Sequence, residues 1–115
     1  MKTILSFVTL HTADYAKARA FLTDVLGFEA TEERVGANAF VSASGAGLAL
    51  REVQGLKPPL GGGITVYFIV PDVQKYHDEL VGRGADIAEP LHPMPFGQTF
   101  SVNTPDGHLL GFYEA

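Results

Sequence analysis

The stretch "SFVTLHTADYAKARAFL", Ser6 to Leu22, changes its period part-way along. Its first half alternates as a strand does, with Phe7, Thr9 and His11 on one side and Val8 and Leu10 on the other. Asp14 then opens "DYAKARAFLTDVLGF", where Ala18, Phe21, Leu22 and Val25 recur at helical spacing until Gly27 stops the pattern. A carboxylate at such a junction accepts from the free amides of the first turn, so Asp14 is the predicted N-cap. His11, at the end of the strand, is the first residue to weigh as a metal ligand.

The scheme recurs. Thr65-Val66-Tyr67-Phe68-Ile69 alternates, Asp72 follows, and Val73, Tyr76, Leu80 and Val81 form an apolar helical face ended by Gly82 and Gly84. Asp14 and Asp72 are 58 residues apart, the spacing of an internal duplication. Strand-like runs follow each helix: Glu29–Val35, Ala37–Ser42 and Leu48–Val53, then Ile87–Leu91, Gln98–Asn103 and Leu109–Glu114. Turn signals at Ser42–Gly47 and Thr104–Gly107 precede the last strand of each half. The expected organisation is α+β, one domain of two strand-helix-three-strand modules, residues 1–53 and 64–115. The Pro- and Gly-rich residues 54–63 join them.

Composition narrows the function. A chain of 115 residues suffices for one core. Eight Lys and Arg against thirteen Asp and Glu leave a net charge of −5, the wrong sign for nucleic acid and better suited to a neutral or cationic ligand. There is no cysteine, so disulfides and thiolate metal sites are excluded. The apolar run near the N-terminus is short and broken by Ser6 and Thr9, unlike a signal peptide, and no run approaches a membrane span. A cytoplasmic protein without membrane contact is expected.

"FLTDVLGF", "VPDV" and "GQTFSVNTPDGHLL" (Gly97–Leu110), set in this tandem order, resemble the vicinal oxygen chelate superfamily, which includes glyoxalase I, extradiol dioxygenases, and fosfomycin and bleomycin resistance proteins. The resemblance covers essentially the whole chain. It implies two βαβββ modules curling into an incomplete barrel around a cavity, in a homodimer. It also implies where metal-dependent members carry ligands: seven residues before each capping Asp, on the last strand of the first module, and four residues after the final turn glycine. Those positions fall on Phe7, Thr65, Ala49 (or, with a slip, Arg51 or Glu52) and Gly111. Phe, Ala, Thr and Gly supply no imidazole or carboxylate, so neither a metal nor another cofactor is expected.

Strand parity predicts a ligand-facing side made of Phe7, Thr9, His11, Ala49, Arg51, Thr65, Tyr67, Ser101, Gly111 and Tyr113. Thr99, Asn103, Gly47 and Ile69 share it, and Ile64, Val66, Phe68 and Val70 are expected in the core. Small residues at Ala49 and Gly111 would leave volume, and no carboxylate is expected on this side. His77 and His108 read as solvated, and the prolines of "EPLHPMPFGQ" (Glu89–Gln98) as an irregular loop from which His92, Met94 or Phe96 could touch a ligand. Two function classes follow: a binding protein that sequesters an aromatic or cationic small molecule, or a lyase, isomerase or dioxygenase, metal-dependent or with His11 as a metal-independent base.

Overall fold

A computed structural model describes residues 2–34, 37–41 and 47–114. The fold is mixed α+β, and the chain divides into two compact units, Met1–Lys57 and Pro58–Ala115. The first contains β1 (Phe7–Thr12), α1 (Tyr15–Ala20), β2 (Ala30–Arg34), β3 (Ala37–Val41) and β4 (Gly47–Glu52). The second contains β5 (Thr65–Ile69), α2 (Val73–Gly82), β6 (Asp86–Met94), β7 (Gly97–Asn103) and β8 (Leu109–Tyr113). The expected strand ends at Val35 and Ser42, and the turn from Ser42 up to Gly47, lie outside the described residues.

In each unit three antiparallel strands fold back so that the last lies parallel to the first. The sheet orders are β1-β4-β3-β2 and β5-β8-β7-β6. Both helices begin alike. Asp14 and Asp72 are extended N-caps accepting from Lys17 N (3.1 Å) and Lys75 N (3.0 Å). A glutamate at the end of the partner strand takes the next free amide: Tyr15 N donates to Glu52 Oε1 at 3.0 Å and Val73 N to Glu114 Oε1 at 2.9 Å. Each helix start is thus held by two carboxylates, one local and one from the sheet. Removing the local one by Asp72→Ala is expected to lower stability by about 1 kcal/mol, measured by denaturant unfolding. An unchanged midpoint would show that the cap carries no weight.

The helix ends differ. α2 closes in a Schellman motif, with Gly84 at φ 80° and Ala85 N donating to Leu80 O at 3.0 Å. The first helix does not run regularly to Gly27 as expected: Phe21–Val25 form a turn of π-helix, with Leu26 N on Phe21 O at 3.1 Å. The wider turn carries Leu22 and Leu26 together into the core while Phe21 and Val25 stay half-buried.

The core follows strand parity. Leu10, Leu48 and Leu50 are buried with Ala18, Leu22 and Leu26 in the first unit. In the second, Phe100, Val102, Leu110 and Phe112 are fully buried with Leu80. Phe112 stacks on Phe68 (5.5 Å between centroids) and meets Tyr76 edge-on at 4.9 Å. Burial pushes the Tyr76 phenol well above the usual tyrosine range, with Arg83 opposing in part.

Several expectations fail for physical reasons. Ile64 precedes β5 and is exposed, and Val81 sits on the solvent side of α2. His77 is not fully solvated: its ring packs edge-on against Phe100 at 5.1 Å, and its Nδ1 lies 3.0 Å from Asp78 Oδ1. With Gln74, it holds the Asp78 carboxyl below its usual range. His108 is half-buried, its amide donating to Thr104 Oγ1 at 3.0 Å in the turn before β8. The largest departure is β6, which does not end at Leu91 as expected but runs on through Pro93 to Met94. It lies at the edge of its sheet, and its pairing with β7 shifts between Ile87 and Glu89 and again between Glu89 and His92. Edge position and bulges are the settings where a strand accepts proline.

Candidate functional site

The sheet of the second unit brings a mixed row of side chains onto one face. Registers of β6, β7, β8 and β5 align Glu89, Ser101, Gly111 and Tyr67, and next to them His92, Thr99, Tyr113 and Ile69. Phe96, in the turn joining β6 to β7, closes an aromatic group: its ring lies 5.4 Å from Tyr67 and 4.9 Å from Tyr113, and the tyrosines are 6.3 Å apart, all edge-to-face.

Gly111 is buried beneath this group. A Cβ there would stand 2.5 Å from both Cδ1 and Cε1 of Tyr67 and 3.3 Å from Thr65 Cγ2. The expected volume at Gly111 is therefore filled by the Tyr67 ring, which lies on the glycine backbone because no side chain intervenes. Thr99 and Ser101 are buried as well. Thr99 Oγ1 donates to Phe112 O at 2.9 Å, satisfying its hydroxyl within the sheet.

The face also carries a carboxylate, contrary to expectation. Ser101 Oγ donates to Glu89 Oε1 at 3.2 Å, and Glu89 Oε2 lies 3.9 Å from His92 Nε2. His92 Nδ1 lies 2.7 Å from Pro90 O. Glu89 escaped sequence reasoning because the two register shifts of β6 break the period of two that assigned β1, β4, β5, β7 and β8 their faces. The pairing with Ser101 is the signal that reveals it.

In the first unit, β1 and β4 set Phe7 beside Gly47, Thr9 beside Ala49 and His11 beside Arg51. Phe7, Thr9, His11 and Arg51 are exposed and Ala49 is half-buried. Five of the expected site residues thus share neighbouring strands here. Thr65, Tyr67, Ser101, Gly111 and Tyr113 do so in the second unit.

The positions that the family resemblance assigns to metal ligands do not fit a divalent ion. Phe7, Ala49 and Thr65 offer no imidazole or carboxylate, and an aromatic ring covers Gly111. Among the described residues, no three of His, Asp or Glu gather as a metal site would require. Nor is any helix of the described residues long and apolar enough to cross a membrane.

Comparison with known proteins assigns the class. The family model for the Glyoxalase/Bleomycin resistance protein/Dioxygenase superfamily matches residues 4–112, and the chain belongs to that superfamily. Its fold is similar to that of a glyoxalase/bleomycin resistance protein/dioxygenase from Nocardioides, with a TM-score of 0.79 and 20% identity over 99% of this chain and 84% of that one. TioX from Micromonospora sp. ML1 gives 0.72 and 24% over 95% and 96%. The fosfomycin resistance protein FosX from Listeria monocytogenes gives 0.78 and 22% over 100% and 95%. No curated protein sequence matches the chain significantly.

Proposed function

We propose that the protein binds a small aromatic or cationic molecule and does so without a metal. The observation that carries this reading is the Tyr67 ring on Gly111: where metal-dependent relatives are expected to present a carboxylate, this chain presents an aromatic surface. Tyr67, Phe96 and Tyr113 supply flat apolar contact, and Ser101, Glu89 and His92 supply polar anchors beside it. The net charge of −5 favours approach of a cation. Phe7, Thr9, His11, Ala49 and Arg51 on the first unit's sheet, and Thr65 on the second's, are proposed as ligand-facing as well. The tandem βαβββ modules, the incomplete barrel, the homodimer and the cytoplasmic location belong to the same proposal. Because one similar structure is a fosfomycin resistance protein, antibiotics are natural probes.

Two of the four tyrosines, Tyr67 and Tyr113, lie on this face and the chain has no tryptophan to mask them, so a ligand here changes part of the tyrosine emission. Titration with planar aromatic antibiotics, neutral and cationic, is expected to change that emission saturably, equally with and without a chelator. Silence across the panel would overturn sequestration. Stoichiometric metal in metal-supplemented protein would instead revive a metal enzyme of the superfamily.

A further inference from the structure

The pairing of Glu89 with His92 specifies the ligand further. A carbonyl only accepts, so His92 Nδ1, 2.7 Å from Pro90 O, carries a hydrogen. In the neutral ring the lone pair is then on Nε2, 3.9 Å from Glu89 Oε2 and too far for a hydrogen bond. The other Glu89 oxygen is held by Ser101 Oγ at 3.2 Å. In that tautomer two acceptors stand side by side with no hydrogen between them. A single nitrogen bearing two hydrogens, about 2.8 Å from each, would subtend an angle of about 90° between them, acceptable for an ammonium group. A metal about 2.1 Å from each would need about 135° and further donors, which the described residues do not bring.

We propose that Glu89 and His92 form an ammonium subsite and that the ligand is an arylalkylamine whose ring rests on Phe96 and Tyr113. This rests on the small-molecule reading above and names its substrate class. His92, Thr99 and Tyr113 are in register on β6, β7 and β8, so the amine subsite and the aromatic wall are two strand spacings apart, about 10 Å between backbones. An aromatic ring joined to an amine by a short alkyl chain spans that interval with its ring on the near side of Tyr113. Side-chain exposures of 54% for Glu89 and 33% for His92 leave both groups reachable.

The test is calorimetric titration of the full chain and its E89Q variant with 4-phenylbutylamine and 4-phenylbutanol at neutral pH. The variant keeps an amide oxygen for Ser101, and its thermal midpoint is measured alongside. The amine is expected to bind wild-type protein about tenfold or more tightly than the alcohol, with that preference lost in E89Q. Equal affinities in wild type overturn the subsite and leave aromatic binding standing. A preference that survives in E89Q overturns the role of Glu89. Binding of neither compound overturns the aromatic reading and the subsite together.

Discussion

Replacing Phe112 by alanine is expected to cost about 3–5 kcal/mol, a large part of the about 5–15 kcal/mol that holds a domain together. Phe112 is fully buried and touches three rings: Phe68 at 5.5 Å, Phe100 at 5.3 Å and Tyr76 at 4.9 Å. Two of these neighbours are fixed by backbone, Phe68 on β5 and Phe100 on β7, and cannot collapse into the space without bending strands paired to β8. The cost therefore includes the cavity as well as the lost transfer energy. Denaturant unfolding measures it as a shift of midpoint with unchanged slope. A loss below about 1.5 kcal/mol, typical of a well-tolerated swap, would mean that the ring cluster repacks freely.

Gly111→Ala is the second large effect. One methyl group must occupy space 2.5 Å from two carbons of the Tyr67 ring. The ring can swing outward, since Tyr67 is 42% exposed, but it then gives up its edge contacts with Phe96 and Tyr113. Overpacking and lost ring contacts together are expected to cost about 2–4 kcal/mol. The near-ultraviolet circular dichroism of the tyrosines should change with it, and affinity for aromatic ligands should fall. A double-mutant cycle isolates the cause: in a Tyr67→Ala background, Gly111→Ala should cost less than about 1 kcal/mol. The same cost in both backgrounds would show that the ring is not what Gly111 accommodates.

Much of the fold was legible in the sequence because local and long-range demands agree there. Asp14 and Asp72 cap helices as predicted. Leu48 and Leu50, Phe100 and Val102, and Leu110 and Phe112 are buried by the period of two that placed them. What escaped depends on position in the sheet. The prolines argued for an irregular loop beyond Leu91, yet at an edge the strand runs on through Pro93 to Met94, a tolerance no local pattern states. The same bulges hid Glu89, and with it the polar half of the candidate site. Gly111 was recognised as small. That Tyr67 fills the space above it depends on β5 lying next to β8, a contact made across more than forty residues of chain.

The prolines of β6 have a bearing on how the protein survives at high concentration. The outer strand of a sheet invites neighbouring molecules to extend it, and the face here is rich in aromatic side chains that would reward such growth. Two of the nine residues of β6 have no amide hydrogen to offer, and two irregularities interrupt its ladder. An incoming strand would find a broken template on that side. The prolines that pointed to an irregular loop in the sequence thus leave the outer edge of this aromatic sheet a poor template for a further strand.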